Sequence, residues 1–468
     1  MTTDTIVALA TPPGVGATAL VRLSGPEAGG ILQGLAPGLE GLPEPRRATL
    51  ATLRDPEDGE VLDRALVTWF PGPDSYTGED VVELSTHGGW WTPAQVVDVC
   101  GALGARGAEA GEFTRRAYLH GKLDLLQVEA VADLVDSRSS ALHRAATETL
   151  DGGLSRRISS LRESLVALEA RLAHHLDFPE EDDAPVPLEE VGRGAERLEE
   201  EVRALLATAP EGVLLREGAV TVLAGPPNAG KSALYNALLG ERRALVTEVP
   251  GTTRDALESV VELGGYPFRL VDTAGLRETG DRVERLGIEV AWEALARADV
   301  VLYCREWGDD SVVPQELRDE LGDVLLVPVR TKADRAGDVV RGRQDEMTPD
   351  EVTPGKVTAG ETVQREVWVS AESGEGLDGL RDRLVHLLFG GLVRARGEPV
   401  LTRRRQVDAL RAAAEQVGAF ATALRDGVPA DVAATHLGAA GSHLEELVGI
   451  VTVNDVLDVV FASFCIGK

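Results

Sequence analysis

The spacing of apolar residues divides the chain into segments of different secondary structure. Before residue 121 the apolar residues form short runs between glycine and proline turns, which predicts an α/β segment with strands at 5–9, 19–23, 65–70 and 81–85. Helical periodicity holds from 122 to about 206 and returns over 396–441 and 444–464. Residues 215–390 alternate between strand and helix patterns. Helices on both sides of this segment predict one helical domain into which an α/β unit is inserted.

Length and cysteine content narrow the class of protein. At 468 residues the chain is too long for one core, and we expect roughly two to four domains. No apolar run reaches the ~18 residues of a membrane span, and the polar first five residues do not resemble a basic signal peptide. Cys100, Cys304 and Cys465 have neither disulfide nor zinc spacing. We therefore expect a cytoplasmic protein with reduced thiols and no membrane contact.

The formal net charge of −30 argues against a surface that binds nucleic acid along its whole extent. Phosphate contacts need clustered lysine and arginine, so any RNA would need a local basic patch or a basic partner. The only compact basic run is Arg403-Arg404-Arg405. We interpret it as a solvated helix face, with an RNA contact as the alternative. The acidic segment 177–183 is interpreted as a solvated loop.

A phosphate-binding loop is predicted at residues 225–232, whose sequence is Gly-Pro-Pro-Asn-Ala-Gly-Lys-Ser. It follows the apolar run 220–224 and opens a helical pattern that stops at Gly240, which is the strand, loop and helix order that such a loop requires. The lysine can reach the β and γ phosphate oxygens, and the serine hydroxyl can hold Mg²⁺. The predicted contacts are Asn228, Ala229, Gly230, Lys231, Ser232 and Ala233.

Two later segments complete the phosphate side of this predicted site. A polar segment at 247–255 is of the type that closes over a γ-phosphate, and a strand pair at 259–263 and 268–271 ends in a carboxylate where Mg²⁺ binds. The predicted magnesium ligands are Ser232 and Thr253. The further nucleotide contacts are Thr247, Glu248, Val249, Pro250, Gly251, Thr252, Thr253, Asp272, Thr273, Ala274 and Gly275.

The ends of two more predicted strands, 324–329 and 367–369, indicate guanine. Asp334 can accept from N1–H and the 2-amino group, Lys332 can lie along the nucleotide, and the Ala371 amide can donate to O6. Adenine would leave these groups unpaired, so we predict GTP. Because Thr331 stands where such GTPases commonly carry Asn, we expect a weaker brace with retained specificity. The contacts predicted here are Thr331, Lys332, Ala333, Asp334, Ser370, Ala371 and Glu372.

The residues that promote hydrolysis are less evident. Leu276 occupies the position where many regulatory GTPases place a water-orienting glutamine, so another group must replace it, and Glu278 and Glu284 are the nearby candidates. No arginine finger is identifiable, because Arg254 and Arg277 could equally be solvated. A bound monovalent cation is an alternative, ligated by the amide oxygen of Asn228 and by carbonyls of 247–252.

Motifs along the chain together resemble the MnmE (TrmE) family of tRNA modification GTPases. The matching segments are TIVA at 5–8, TPPG at 11–14, YTGED at 76–80, GEFT at 111–114, PNAGKS at 227–232, GTTRD at 251–255, DTAGLRE at 272–278 and CIGK at 465–468. The resemblance implies an α/β multidomain homodimer with an N-terminal α/β folate-binding domain and an all-α helical domain split by an inserted Ras-like P-loop GTPase domain. We place these domains at 1–121, 122–214 with 391–468, and 215–390.

The resemblance also implies partners and chemistry. Family members act with a flavoprotein, MnmG, in a heterotetramer that adds a carboxymethylaminomethyl-type group to C5 of the wobble uridine of certain tRNAs. The carbon comes from a tetrahydrofolate, either the 5-formyl or the 5,10-methylene form. The GTPase domains dimerise around GTP with K⁺, whose implied ligands are Asn228, Thr247, Val249 and Thr252. The tRNA contact is expected to be shared with the partner.

Further residue roles follow only from the resemblance. It favours Glu284 over Glu278 as the water-orienting residue, and it implies folate contacts at Arg22, Glu83 and Lys122, with Lys468 nearby. Arg22 and Lys122 could pair with the glutamate tail of the folate, and the Glu83 carboxylate could accept a hydrogen bond from the amino group of the pterin. The alternative for each residue is an ordinary ion pair. Cys465 is implied as a functional thiol, against the alternative of a small buried hydrophobe.

The chain departs from the family pattern at Pro226, at Thr331 and in the acidic stretch 303–310. We expect these departures to affect nucleotide affinity more than GTPase activity. Two other classes of function stay open at this point. One is a switch GTPase for ribosome assembly or RNA binding, which leaves the N-terminal segment and the terminal CIGK unexplained. The other is a folate-dependent one-carbon transferase acting on a small molecule, with a regulatory GTPase domain.

Overall fold

The computed structural model describes residues 4–177, 187–240, 258–272, 294–322, 324–335, 366–394, 399–450, 454–462 and 464–467. The chain forms two compact units. The first comprises 1–132, 149–162 and 442–468, and the second comprises 133–148 and 163–441. The domain boundaries predicted from the sequence stay predictions.

The first unit is built on a six-stranded sheet. Its strands are β1 (Ile6–Leu9), β2 (Thr18–Ser24), β3 (Thr49–Arg54), β4 (Val61–Phe70), β5 (Val81–His87) and β6 (Arg106–Gly107). Their order is β3-β4-β5-β2-β1-β6, and the neighbours are antiparallel except for β1 with β6. Alternate buried residues of these strands pack against helices α1 (Ala28–Leu35) and α2 (Trp91–Ala102). The sheet therefore presents one apolar face to two helices.

Three helices contribute to a second apolar cluster in this unit. They are α3 (Glu112–Leu119), α4 (Leu125–Asp136) and the C-terminal α14 (Asn454–Ala462). Phe461 and Phe464 pack with Leu125 and Val128 in one buried cluster. After α14 the chain pairs with the segment before α3, through the bridge between Ile466 and Ala110. The C-terminal tail is thus part of the folded unit.

A buried arginine ties the loops of the first unit together. Arg116 of α3 is 1% exposed, and its guanidinium donates to the carboxylates of Asp4, Glu79 and Glu112 at 2.9–3.2 Å. Arg106 reaches two of these carboxylates as well. The motifs YTGED and GEFT therefore meet at one cation. Arg116, which follows GEFT, therefore belongs to the interior of the unit rather than to a solvated helix face.

The second unit combines long helices with a second sheet. Besides the helices on the sheet and the end of α4, the helices that fall wholly or partly in it are α5 (Ser140–Leu150), α6 (Gly153–Asp177), α7 (Leu188–Leu206), α8 (Ala209–Glu217), α12 (Arg404–Arg425) and α13 (Ala430–Val448). Helices α7 and α12 pack against each other, and the buried residues of α7 recur at helical spacing. Asp133 accepts hydrogen bonds from Arg216, Thr402 and Arg403.

The second sheet is the scaffold of the nucleotide motifs. Its strands are β7 (Ala219–Ala224), β8 (Glu258–Leu263), β9 (Tyr266–Asp272), β10 (Val300–Glu306), β11 (Leu325–Thr331) and β12 (Val367–Trp368), in the order β12-β11-β10-β7-β9-β8. All neighbours are parallel except β8 with β9. Helices α9 (Lys231–Gly240), α10 (Gln315–Leu321) and α11 (Leu377–Arg394) accompany it. The carboxyl ends of the parallel strands therefore meet at one edge.

The elements confirm the predicted strands and correct two other predictions. Strands β3, β6 and β10 and helices α1, α2 and α10 were not predicted. The predicted helix over 444–464 is wrong: α13 ends at Val448, and Gly449 with φ of +84° separates it from α14, since this backbone conformation is incompatible with a helix. The solvated interpretation of the basic run 403–405 is wrong for Arg403, which pairs with Asp133 at 2.6 Å. Residues 178–186 of the acidic segment lie outside the described residues.

Within the part of the chain that the structure describes, no helix combines the length and the hydropathy needed to cross a bilayer.

We predict that Arg116→Met destabilises the first unit by about 3–5 kcal/mol, because it leaves buried carboxylates without their cation. The measurement is the thermal unfolding midpoint. The matched control is Arg115→Met: Arg115 lies on the same helix, half exposed, 3.6 Å from Asp458. It should cost at most about 1 kcal/mol. Equal midpoints for the two variants would contradict the prediction.

The network also sets a direction for the pH dependence of stability. Burial alone raises the pKa of the Glu112 carboxyl, but hydrogen bonds from Arg106 and Arg116 outweigh it and hold that pKa below its ordinary value. The hydrogen bond from Arg106 lowers the pKa of Asp4. The stabilisation is therefore present above the unfolded pKa values of ~4 and is lost as pH falls through the lower folded values. In Arg116→Met this loss should be smaller.

Candidate active site

The loop between β7 and α9 has the backbone of a phosphate-binding loop. Gly225 and Gly230 have φ of +135° and +76°, and Asn228 has φ of +62°. A side chain at Gly225 would collide with β10, since an added Cβ would lie 2.2 Å from the Cys304 carbonyl oxygen. Glycine is therefore required where the loop leaves the sheet. The two glycines predicted from the sequence have the conformations that the motif needs.

Lys231 begins α9 and turns back into the loop. Its ammonium donates to the carbonyl oxygens of Gly225 and Pro226 at 2.9 and 2.8 Å, and the residue is 7% exposed. The loop thus wraps around a single buried positive charge. A phosphate bound by the loop amides would meet this charge at close range.

The magnesium side of the site is formed by α9 and β9. Ser232 Oγ donates to Asp272 Oδ2 at 2.7 Å, which brings together two residues predicted from separate motifs. A hydroxyl and a carboxylate are the oxygen donors that Mg²⁺ prefers, so the pair fits this ion. The other predicted magnesium ligand, Thr253, lies outside the described residues.

The end of β11 braces the loop from the side of the predicted base. Thr331 Oγ1 donates to the Ala229 carbonyl at 2.7 Å, with the Arg305 carbonyl 3.1 Å away. The Thr331 hydroxyl therefore contacts the phosphate loop directly. The expectation that this brace is weaker than an asparagine would give stays a prediction.

The predicted guanine-reading carboxylate is held by the loop after β12. Ser370 Oγ donates to Asp334 Oδ1 at 2.7 Å, and the Ala333 amide donates to the Val369 carbonyl at 3.1 Å. Ala371 and Glu372 follow in the same turn, which is closed by the hydrogen bond from Gly374 N to Ser370 O. The two base-side motifs are therefore brought together, and Ser370 orients the aspartate.

Glu306, the last residue of β10, was not predicted as a site residue. It lies in the stretch 303–310, which the sequence marks only as acidic, and its Oε2 is 2.5 Å from Lys332 Nζ. The same ammonium donates to the Asn228 carbonyl at 2.9 Å. A signal was present, because 300–306 is a buried strand between two strands that carry motifs, and its end must face the same edge.

Several predicted site residues lie outside the described residues. They are Thr247, Glu248, Val249, Pro250, Gly251, Thr252, Thr253, Thr273, Ala274, Gly275, Glu284 and Lys468, together with the alternatives Arg254, Leu276, Arg277 and Glu278. Of the implied potassium ligands, Asn228 alone is described. The water-orienting residue therefore stays a prediction.

The first unit brings together two of the implied folate contacts. Arg22 on β2 and Glu83 on β5 face each other across the ladder and form an ion pair at 2.8 Å. The guanidinium lies 5.5 Å from the ring centre of Tyr76 and 5.7 Å from that of Phe113. Tyr76 is hydrogen-bonded to Thr114 at 2.9 Å, and burial raises the pKa of its hydroxyl. The YTGED and GEFT motifs thus frame one arginine.

The third implied folate contact lies against the loop that carries Tyr76. Lys122 Nζ donates to the Pro73 carbonyl at 2.9 Å, and its Cγ lies 3.5 Å from a Cβ built at Gly78. Arg22 and Glu83 form a salt bridge with each other, which agrees with the alternative of an ordinary ion pair. Their contact with a ligand stays a prediction.

The three cysteines differ in exposure. Burial raises the pKa of both Cys100 and Cys304 to about 12, which makes them poor nucleophiles. Cys465 is exposed, and its carbonyl accepts a hydrogen bond from the Gly111 amide at 3.4 Å. The alternative of a buried hydrophobe is therefore wrong for Cys465, whereas a catalytic role stays a prediction.

Comparisons with known proteins cover the whole chain. A sequence profile described as the MnmE helical domain matches residues 125–465, and one described as the N-terminus of the GTP-binding protein TrmE matches 5–122. The tRNA modification GTPase MnmE of Moorella thermoacetica is 40% identical over 484 residues, with 100% of both chains covered. The protein of that name from Xanthomonas campestris pv. campestris is 43% identical, with 99% of each covered. Among solved structures, the G domain of the T. maritima FeoB iron transporter is 24% identical, with a TM-score of 0.23, over 36% of this chain and 98% of that one.

We predict that Thr331→Val weakens the binding of GDP about tenfold, because the Ala229 carbonyl loses its hydrogen-bond donor in a buried site. Thr331→Ser retains the hydroxyl and serves as the matched control. The measurement is a fluorescence titration with a labelled GDP. Equal dissociation constants for the two variants would show that the hydroxyl does not brace the loop.

Proposed function

Because the chain belongs to the MnmE family of tRNA modification GTPases, we propose that its hydrolysis of GTP drives modification of the wobble uridine of tRNA. The observation that carries this proposal is the assembly, at one sheet edge, of the phosphate loop, Asp272 and the motifs that follow β11 and β12, in a chain similar to its relatives over its full length. Neither a nucleotide switch alone nor a folate enzyme alone accounts for both halves of the chain.

At the nucleotide, the proposed roles follow the geometry of each residue. Lys231 exchanges its bonds to the loop carbonyls for phosphate oxygens, and Asp334, held by Ser370, accepts from guanine. Ser232 and Asp272 would hold Mg²⁺, directly or through water, and the ion would neutralise charge on the phosphates. Exclusion of adenine follows, because it leaves the aspartate without donors.

The hydrolytic step is proposed to use Glu284 to orient water and K⁺ to offset charge, with Asn228 among the potassium ligands. Asn228 supports this role by its place in the phosphate loop, three residues before Lys231, because a cation bound at this residue would lie beside the phosphates. We predict that GTP turnover is faster in potassium than in sodium buffer, since the smaller ion fits the same oxygen ligands poorly. Equal steady-state rates in the two buffers would remove K⁺ from the proposal.

For the modification, we propose a tetrahydrofolate as the one-carbon donor, in its 5-formyl or 5,10-methylene form. The ion pair between Arg22 and Glu83 supports this, because both side chains are partly exposed, at 20% and 25%. A ligand that carries a carboxylate and an amino group could replace each partner of the pair. Lys122 and Lys468 are proposed as further contacts, and Cys465 as a reactive thiol.

The partner is proposed to be an MnmG-type flavoprotein that shares the tRNA contact with a homodimer of this chain in the cytoplasm. The net charge of −30 supports a shared contact, because an acidic protein has few phosphate ligands to offer. The product would carry a carboxymethylaminomethyl-type group at C5 of the wobble uridine.

The experiment is nucleoside analysis of tRNA from cells that lack this protein and are complemented with variants. We predict that the wild type restores C5-modified wobble uridine, whereas Lys231→Ala gives less than about a hundredth of that level. The variant lacks the positive charge that stabilises the phosphates during hydrolysis. Normal wobble uridines in the deletion strain would contradict the proposal. Ribosome-assembly defects in that strain would then favour a switch GTPase, and altered one-carbon pools a small-molecule transferase.

A further inference from the structure

The end of β10 lies between the phosphate loop and the base motif on β11. Strand β10 pairs with β7, which leads into that loop, and with β11, where Glu306 lies opposite Thr331. The carbonyls of Asn228 and Ala229 accept hydrogen bonds from Lys332 and Thr331. None of the predicted nucleotide contacts comes from β10. The strand nevertheless reaches the predicted base motif through the carboxylate of Glu306.

From this geometry we infer that Glu306 is a positioning residue for the guanine nucleotide, which acts by holding Lys332. Its carboxylate lies 2.5 Å from the lysine ammonium, which also donates to the Asn228 carbonyl of the phosphate loop at 2.9 Å. The lysine therefore bridges the loop and β10. The inference rests on Lys332 belonging to the proposed base-binding motif.

The backbone on both sides of Glu306 is fixed to the same partner. The Trp307 amide donates to the Thr331 carbonyl at 3.0 Å, and the Arg305 carbonyl lies 3.1 Å from the Thr331 hydroxyl. Both residues that flank the glutamate are thus held to the residue that precedes Lys332. The backbone of Glu306 is therefore held in place beside Lys332, as a residue that positions the lysine requires.

Lys332 needs such support, because its backbone is in the left-handed region, with φ of +57°. A residue other than glycine adopts this conformation at an energetic cost, and it persists where the surrounding contacts demand it. Arg335 approaches the same carboxylate oxygen only to 3.9 Å, so the lysine is the nearer partner. Its hydrogen bond holds the pKa of Glu306 below the ordinary value, and the carboxylate stays charged at neutral pH.

The ion pair is partly solvated, since the side chains of Lys332 and Glu306 are 27% and 43% exposed. A pair of this kind has a modest effect, so Glu306→Gln should weaken GDP binding about threefold to tenfold rather than abolish it. The loss should decrease in high salt, because exposed charges are screened.

The decisive experiment is a double-mutant cycle in the full-length protein, with labelled GDP as the probe. Glu306→Gln, Lys332→Met and the double variant are titrated, and the thermal unfolding midpoint of each is recorded. We expect Glu306→Gln to lose affinity in the wild-type background and to have no further effect beside Lys332→Met. Asp310→Asn is the matched control, because Asp310 follows β10 but is 97% exposed and 3.9 Å from Arg330. It should leave affinity unchanged.

Two results would overturn the inference. One is unchanged GDP affinity in Glu306→Gln, and the other is the same loss with and without Lys332, which would mean that Glu306 acts by another route. If Glu306→Gln lowers the unfolding midpoint, Glu306→Asp, which retains the charge, must recover affinity in part. Failure of the wild type to bind GDP would instead refute the proposed function.

Discussion

The nucleotide edge depends on the close approach of two backbones, the first turn of the phosphate loop and strand β10. At Gly225 the space is so small that a single added carbon would lie 2.2 Å from the Cys304 carbonyl oxygen. Because glycine stands at this position, the loop can lie close to the end of the sheet. At that distance the Ala229 and Asn228 carbonyls accept hydrogen bonds from Thr331 and Lys332. A threonine hydroxyl at position 331 is therefore long enough to bond the Ala229 carbonyl of the phosphate loop, and this contact does not need an asparagine.

The first unit obeys a constraint of another kind, a single buried cation shared by carboxylates from separate segments. Arg116 contacts Asp4 before β1, Glu79 in the loop before β5 and Glu112 on its own helix. Ser24 of β2 donates to the same Glu79 at 2.6 Å. The loop that carries Tyr76 is thereby anchored at one end, and Tyr76 in turn lies against Arg22. The YTGED and GEFT motifs thus have a structural role, and Tyr76 of the first motif contacts the Arg22–Glu83 ion pair that is proposed to bind folate.

How much of this could be read from the sequence depends on the range of the interactions. Strands β7, β9 and β11 and the loop at 225–230 were predictable, because apolar runs that end in glycine or a charged residue are local signals. The contact between Ser232 and Asp272 agrees with the rule that the carboxyl ends of parallel strands meet at one edge, although the pair itself was not predicted. Glu306 was missed because its partner is 26 residues away and its strand carries no motif. The burial of Arg116 was missed for the same reason, since its neighbours lie 37 and 112 residues away.

The placement of residues 133–148 in the second unit has a local physical cause at the tip of the β8–β9 hairpin. The Gly265 carbonyl accepts from the Ala141 amide at 2.9 Å, and Glu262 Oε1 accepts from the Ser140 hydroxyl at 3.0 Å, so the hairpin caps the amino terminus of α5. Leu142 then packs in the same buried cluster as Phe268 and Phe389. The amino-terminal cap of α5 thus comes from the hairpin and Leu142 lies in the buried cluster of the sheet, whereas the domain to which periodicity assigned this helix stays a prediction. Strand β9 runs from this hairpin to Asp272, so one strand connects the helix cap with the predicted magnesium carboxylate.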